Sequence, residues 1–342
     1  MIPVTRPLRQ TPTWQTVLAR SISDPAELLA EVGLDLALLP AARAAARLFP
    51  LRVPRGFVAR MGRGDPADPL LRQVLPLYAE MQETRGYGPD PVGDLAAMAA
   101  PGVLHKYRGR VLLTATGACA IHCRYCFRRY YPYGEANAAV DHWHNALAHV
   151  AADSSVSEVI LSGGDPLMLS DRRLAELTMG LAALPHVRRL RIHTRLPVVL
   201  PERVDDGLIK WLTETHLHTI IVVHCNHAQE IDGSVHDALS RLRQAGVTLL
   251  NQSVLLRGVN DGLATLVRLS DTLFDCGVLP YYLHMLDKVQ GAAHFEVDDV
   301  RADSLMAQLR AQLPGYLVPR LVREIPGADA KVPQALGMLH CC

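Results

Sequence analysis

Short apolar segments recur about every 30 residues from residue 108 onward, and most are followed by a stretch of helical length. The segments are rich in Val, Ile and Leu and mostly do not alternate with polar residues, which is typical of strands buried on both faces of a parallel sheet. Six strand–helix units predict an α/β fold, an incomplete TIM-type (β/α)6 barrel with its site on the loops after the strands. The predicted strands span residues 110–116, 158–162, 189–193, 219–224, 248–254 and 281–286, and the predicted helices span 141–152, 170–184, 202–215, 234–245 and 262–276.

Residues 1–107 do not follow this repeat. The run Asp24-Pro25-Ala26-Glu27 combines a capping residue, a proline at the first helical position and an acid at the third, which predicts a helix start. Residues 66–75 are typical of another short helix, and the glycines and prolines of residues 83–101 indicate a linker. We predict three parts: an N-terminal helical cap and linker (1–107), a barrel (108–315) and a C-terminal segment (316–342).

The composition limits the class of protein. The chain has 342 residues, of which 49% are hydrophobic, so it is long enough to bury a sizeable core. Its net charge of +1 predicts no nucleic acid or other polyanionic partner. No apolar run reaches the length of a membrane span, and residues 1–7 lack the apolar stretch of a signal peptide. These features predict a cytoplasmic protein with no membrane association.

Three cysteines lie within eight residues, Cys119-Ala-Ile-His-Cys123-Arg-Tyr-Cys126, after the first predicted strand. Three thiolates can hold three irons of a cubane [4Fe–4S] cluster, which usually takes four cysteines, and thereby leave one iron open. The alternative is structural zinc, but zinc needs a closed set of four ligands and no second pair stands at a suitable spacing. A disulfide is not expected without secretory features. The other cysteines are predicted to be core residues (Cys225, Cys276) or part of a frayed tail that could also bind metal (Cys341, Cys342).

The C-x3-C-x2-C spacing resembles the signature of the radical S-adenosylmethionine (SAM) superfamily, in which SAM chelates the open iron. The run Ser162-Gly163-Gly164-Asp165-Pro166 follows the second predicted strand. Two glycines allow backbone to approach a ligand closely, and Asp165 could receive an ammonium group. An ordinary turn has the same composition, but the position of this run resembles that of the loop that binds the SAM amino group in the superfamily.

The C-terminal segment contains Glu324-Ile-Pro-Gly-Ala-Asp-Ala-Lys331-Val-Pro333. Taken alone, a lysine in such a loop is more often a solvated surface residue. However, the whole stretch from His105 to Pro333, including residues 251–256, resembles the lysine 2,3-aminomutase family. Members of that family also use pyridoxal phosphate (PLP), which is held by a lysine in a loop of this kind.

The resemblance implies a role for each residue that matches the family pattern. For PLP, the implied roles are covalent attachment to Lys331, stacking of Tyr107 on the ring and binding of the phosphate by Arg110. For the substrate, Arg128 is implied to bind the carboxylate, and Asp287 and Glu324 to bind the side-chain ammonium. Gln252 is implied to contact SAM. Each residue also has an ordinary alternative: a solvated basic face for Arg128, a surface ion pair for Arg110, or a helix cap for Asp287.

Three positions depart from the longer, catabolic members of the family. Gly262 stands where those enzymes place a zinc-ligand cysteine, Glu324 stands where they have aspartate, and Tyr125 replaces a histidine. In residues 51–57, 69–75 and 281–295 the chain instead resembles the short bacterial branch that serves β-lysylation of elongation factor P.

The resemblance implies an isomerase that converts L-α-lysine to (R)-β-lysine with a [4Fe–4S] cluster, SAM and PLP. It also implies a small reductant protein, such as flavodoxin or ferredoxin, and a functional link to elongation factor P and its lysyl ligase. Two alternatives remain at this point: a catabolic lysine 2,3-aminomutase, and a non-catalytic iron–sulfur or zinc-binding barrel protein.

Overall fold

The structure is a computed structural model that describes residues 13–139, 141 and 143–334. Its N-terminal part is built from short helices: α1 (Trp14–Ala19), α2 (Pro25–Val32), α3 (Leu39–Leu48), α4 (Arg55–Val58) and α5 (Pro69–Arg72). The start of α2 agrees with the prediction, since the Asp24 carboxylate accepts a hydrogen bond from the backbone N–H of Ala26 at 3.0 Å. The helix predicted at residues 66–75 is only the single turn α5.

One sheet of ten strands dominates the described part of the chain, and its strands follow one another in sequence order. They are β1 (Met98–Ala100), β2 (Val103–Tyr107), β3 (Arg110–Thr116), β4 (Glu158–Gly163), β5 (Arg189–Thr194), β6 (His218–His224), β7 (Thr248–Val254), β8 (Leu279–His284), β9 (Arg320–Arg323) and β10 (Val332–Pro333). Neighbouring strands from β3 to β9 are parallel, whereas β1, β2 and β10 add antiparallel pairs at the two ends.

This topology confirms the predicted α/β fold and the open, incomplete barrel. The six predicted strands are β3 to β8. The structure adds β9 as a seventh parallel strand, which sequence reasoning missed because it is only four residues long and has an arginine at each end. The antiparallel strand β1 lies in the stretch that the glycines and prolines indicated as a linker.

Helices connect the parallel strands. They are α6 (His144–Ala152), α7 (Asp171–Ala182), α8 (Leu196–Val199), α9 (Asp206–Thr213), α10 (Gly233–Gln244), α11 (Leu263–Asp275) and α12 (Asp299–Gln312). The longer helices bury one apolar stripe; in α7, for example, Leu174, Leu177 and Leu181 are all fully buried. No helix in the described ranges is both long and apolar enough to cross a membrane.

The two faces of the parallel strands differ in polarity. In β5, Leu190 and Ile192 are fully buried in the core shared with the helices. The alternate residues Arg189, Arg191 and His193 line a cavity on the inner face. The expectation of strands buried in apolar surroundings on both faces is therefore wrong for the inner face, which carries the polar groups of the site.

Candidate active site

A cavity of about 600 Å³ lies inside the curved sheet. Its wall is formed by the inner faces of the strands and by the loops that follow them. All thirteen residues that the sequence predicts as site residues line this one cavity: Cys119, Cys123, Cys126, Gly163, Gly164, Asp165, Gln252, Tyr107, Arg110, Lys331, Arg128, Asp287 and Glu324. The carboxyl ends of parallel strands lie at one edge of the sheet, which explains the convergence of the loops after β3, β4 and β8. Tyr107 and Arg110 instead reach the cavity from β2 and from the amino end of β3.

The cysteine loop follows β3 and places Cys119, Cys123 and Cys126 half-buried in the cavity wall as free thiols. In the described ranges, no three His, Cys, Asp or Glu side chains are grouped to hold a single metal ion. Cys225 and Cys276 are buried elsewhere, as predicted. Three thiols facing a cavity, without a fourth among the residues that the structure describes, fit a cluster with one open iron.

Burial raises the pKa of the Cys126 thiol to about 11, and the neighbouring Cys123 acts in the same direction. Burial also raises the pKa of Cys119. Iron binding therefore has to displace protons from these thiols, which couples metal uptake to pH. Cys341 and Cys342 lie outside the described residues, so the predictions for them stay predictions.

The Gly163-Gly164 turn packs directly on the cysteine loop. Gly163 has a φ of +113°, and the backbone N–H of Gly164 donates to the carbonyl oxygen of Thr116 at 2.6 Å. A Cβ atom on Gly164 would lie 2.4 Å from the carbonyl oxygen of Ala118. The glycines are thus required for the close approach of two loops, a reason that the sequence did not reveal.

Asp165 is buried and its carboxylate is occupied by donors of the protein. One oxygen accepts the Thr194 hydroxyl at 2.7 Å, and the other accepts the backbone N–H of Arg195 at 2.7 Å. Burial raises the pKa of Asp165 to about 6, although these hydrogen bonds act to lower it. In this arrangement Asp165 joins the loop after β4 to the loop after β5, and its predicted contact with an ammonium group stays a prediction.

Lys331 also lines the cavity, just before β10, and Glu324 lies just after β9. The Lys331 ammonium donates to one oxygen of Glu324 at 2.5 Å, and the Tyr107 hydroxyl donates to the other at 3.1 Å. The Arg110 guanidinium lies 4.6 Å from the centre of the Tyr107 ring. Sequence reasoning missed Arg189 and Arg191, which line the same cavity. Guanidiniums beside a lysine and a tyrosine ring fit the phosphate and ring of PLP.

Arg128 is buried, so the alternative of a solvated basic face is wrong. Its Nε atom donates to Asp94 at 2.7 Å, and its Nη1 atom donates to the Ser162 hydroxyl at 2.9 Å. Asp94 also accepts the Lys106 ammonium at 2.7 Å. Burial acts to raise the pKa of Asp94, but the two cations outweigh it and hold the pKa below the usual range. Asp94 was missed because it lies in the Gly/Pro-rich stretch and matches no motif.

The two acids predicted to bind the substrate ammonium differ in charge state. Burial raises the pKa of half-buried Asp287 to about 7, which the Lys331 ammonium only partly opposes. Burial also acts to raise the pKa of Glu324, but Lys331 and Lys106 lower it to about 2. No side chain in the described ranges donates a hydrogen bond to the Asp287 carboxyl group. Asp287 is therefore free to receive a cationic ligand.

Neutral polar groups complete the inner wall. Burial lowers the pKa of His193, His224 and His284, that of His224 to about 3, so these histidines are uncharged. Gln252 contacts the Nε2 atom of His224. The Nε2 atoms of His193 and His284 have no hydrogen-bond partner in the described part of the chain. These histidines belong to no motif in the sequence, and sequence reasoning missed them.

The chain is similar to known proteins over its cysteine loop and over most of its length. Residues 108–184 match the family described as a 4Fe-4S single cluster domain. The L-lysine 2,3-aminomutase of Escherichia coli (strain K12) is 50% identical over 326 residues, which cover 95% of this chain and 95% of that protein. The L-lysine 2,3-aminomutase of Haemophilus influenzae is 48% identical over 324 residues, covering 95% of this chain and 96% of that protein.

Among solved structures, a radical SAM methyltransferase from Sphaerobacter thermophilus overlaps with a TM-score of 0.44 at 18% identity, covering 68% of this chain and 73% of that chain. This likeness is too limited to carry an argument.

The open parallel sheet, the three-cysteine loop and the match to a 4Fe-4S cluster domain indicate an iron–sulfur enzyme. The chain belongs to the L-lysine 2,3-aminomutase family and is an isomerase. The match to a 4Fe-4S single cluster domain supports the cluster among the expected cofactors.

Proposed function

We propose that the protein converts L-α-lysine to (R)-β-lysine. One observation carries this proposal: the three cysteines and the Lys331–Glu324 ion pair line the same cavity. A buried arginine and a half-buried, unpaired aspartate line the same cavity. These groups provide opposite charges for the two ends of a diamino acid.

Arg128 would bind the substrate carboxylate, because a guanidinium forms paired hydrogen bonds with a carboxylate. Its Nε atom is engaged by Asp94 and one Nη atom by Ser162, so the side chain is held in place before substrate arrives. Asp287 and Glu324 would receive the side-chain ammonium. The distance between these anchors would select a four-carbon side chain, which favours lysine over shorter amino acids.

Cys119, Cys123 and Cys126 would hold the cluster, the glycine turn with Gln252 would contact SAM, and Lys331, Tyr107 and Arg110 would hold PLP. When bound, the cluster with SAM supplies the radical that removes a hydrogen atom, and PLP supplies the conjugated system that stabilises the unpaired electron. The protein orients the β-carbon of lysine next to the hydrogen-abstracting group, which is a demand for proximity.

The direct test is an anaerobic assay of reconstituted protein with L-lysine, SAM and a reductant. We expect β-lysine of the R configuration, identified by chiral chromatography, and no product with Lys331→Ala. The matched control is Lys288→Ala, since Lys288 is an exposed lysine paired with Glu296 at 2.9 Å. Product with the amino group on another carbon, or SAM cleavage without any isomerisation of lysine, would contradict the proposal.

We also propose what the β-lysine product is used for. The chain is more similar to relatives of comparable length than to longer ones, which supports a role in supplying β-lysine for attachment to elongation factor P by a lysyl ligase. We also propose a cytoplasmic location and reduction by flavodoxin or ferredoxin, because such a cluster needs a reducing compartment. Deletion of the gene is expected to remove the β-lysyl mass from elongation factor P. An unchanged mass, with loss of growth on lysine, would instead indicate a catabolic role.

A further inference from the structure

Arg195 connects the cysteine loop to a buried polar network. It follows β5 directly and is 6% exposed. Its Nη1 atom lies 2.8 Å from the sulfur of Cys123 and 2.9 Å from the hydroxyl of Tyr125. The family pattern in the sequence assigned no role to this arginine, which is separated from Cys123 by 72 residues.

The guanidinium is held on its other side as well. Its Nη2 atom donates to Glu230 at 2.9 Å and to the side-chain oxygen of Gln73 at 2.6 Å. The backbone N–H of the same residue donates to Asp165. Contacts on both sides, from segments far apart in the chain, leave the guanidinium little freedom, so the direction of its N–H toward Cys123 is preset.

We propose that Arg195 is a positioning residue for the iron–sulfur cluster, which directs the sulfur of Cys123 and raises the reduction potential of the cluster by a charge-assisted hydrogen bond. Hydrogen bonds to ligand sulfurs and the local net charge set the potential of such clusters. The reduced cluster carries one more negative charge than the oxidised one, so a cationic donor stabilises the reduced form more. This inference rests on the proposed assignment of the cluster to the three cysteines.

The Glu230 carboxylate weakens this effect without cancelling it. Glu230 is fully buried and bonds the Nη2 atom, whereas the Nη1 atom faces the sulfur. The Nη1–H group, which faces the sulfur of Cys123, therefore keeps its partial positive charge, because the Glu230 carboxylate bonds the other nitrogen of the guanidinium. A charge-assisted hydrogen bond changes an equilibrium constant by roughly tenfold.

The experiment is a redox titration of anaerobically reconstituted protein, followed by electron paramagnetic resonance, for wild type, Arg195→Lys and Arg195→Gln. The control is Arg203→Lys, since Arg203 is a fully buried arginine that bonds Asp171 and has no contact with the cysteines. Iron content is measured for every sample. Wild-type protein without about four irons per chain would contradict the cluster assignment itself.

At the wild-type midpoint potential, we expect the ratio of reduced to oxidised cluster to fall about tenfold in Arg195→Gln, less in Arg195→Lys, and not in Arg203→Lys. A merely structural arginine predicts no such order. If Arg195→Gln binds little iron, the lysine variant decides, because a lowered midpoint supports the inference and an unchanged one overturns it. Wild-type midpoints in both Arg195 variants at full iron content would also overturn it.

Discussion

The ammonium of Lys331 and the carboxylate of Glu324 form an ion pair of 2.5 Å inside the cavity. The other oxygen of Glu324 accepts the Tyr107 hydroxyl at 3.1 Å and the Lys106 ammonium at 3.2 Å. Glu324, which is expected to receive the substrate ammonium, is thus already paired with cations of the chain itself. No cation in the described part of the chain is hydrogen-bonded to Asp287, so the two acids are expected to respond differently to substitution.

Removal of a cluster ligand should abolish SAM cleavage. Wild-type protein reconstituted anaerobically is expected to hold about four irons, as a cubane cluster requires, whereas Cys126→Ala should lose the cluster and form no 5′-deoxyadenosine. Cys276→Ala is the control, because Cys276 is buried and does not line the cavity. Iron analysis and chromatography of 5′-deoxyadenosine measure both effects. Stoichiometric zinc without iron would show that the site is not a cluster site.

Borohydride should trap PLP on Lys331. We expect peptide mapping of the reduced protein to find the adduct there, and Lys331→Ala to lose it while cluster-dependent SAM cleavage persists, since the cysteines lie on a different loop. Lys288→Ala should retain the adduct. Recovery of the adduct on Lys288 in the wild-type protein would mean that the assignment is wrong.

Asp287→Asn should reduce kcat/KM for lysine by at least about thirtyfold, because loss of a charge-assisted contact to a buried ion costs on the order of 2–5 kcal/mol. PLP should remain bound, since Asp287 is not hydrogen-bonded to Lys331 in the structure. Glu324→Gln should lower activity and also weaken PLP binding, because it removes the partner of Lys331. Visible absorbance of PLP and steady-state kinetics separate the two variants. Unchanged kinetics in both, or efficient turnover of glutamate, would show that this acid pair does not bind the substrate.

The pH dependence should report on Asp287. Its pKa is raised to about 7 by burial, so the carboxyl group is neutral below that pH and charged above it. Since only the charged form pairs with an ammonium, kcat/KM for lysine should rise as the pH increases through about 7 and then level off. Asp287→Asn should lack this rise. Glu324→Gln should keep a rise but shift it to lower pH, because Glu324 stays ionised and its negative charge helps to raise the pKa of Asp287. A rise retained in Asp287→Asn would assign it to another group.

Gly164→Ala should destabilise the junction between the glycine turn and the cysteine loop. The added methyl group would lie 2.4 Å from a backbone carbonyl oxygen, which cannot move away as a side chain can. We expect the free energy of unfolding in urea to fall by about 1–3 kcal/mol, together with reduced iron uptake. Gly134→Ala is the matched control, because no atom lies within 4 Å of its added Cβ. Equal stability of the two variants would contradict the packing argument.

The sequence by itself determined the parallel strands and the cavity that their ends surround. Parallel strands of about 30-residue spacing must bring their carboxyl ends to one edge, so the loops carrying Cys119, Gly163 and Asp287 had to converge. The resemblance to a family then placed Lys331 and Glu324 in the same cavity. Such inferences depend on local patterns and on motif order, both of which can be read along a single chain.

Only the tertiary structure decided which charged groups are partners. Asp94 pairs with Arg128, and Arg195 meets Cys123, although neither pair shares a motif. Burial forces a charged side chain to find a partner, since an unpaired buried charge is costly, but it does not specify which one. The choice of partner depends on how loops distant in the chain pack against one another, and short-range sequence patterns do not specify that packing.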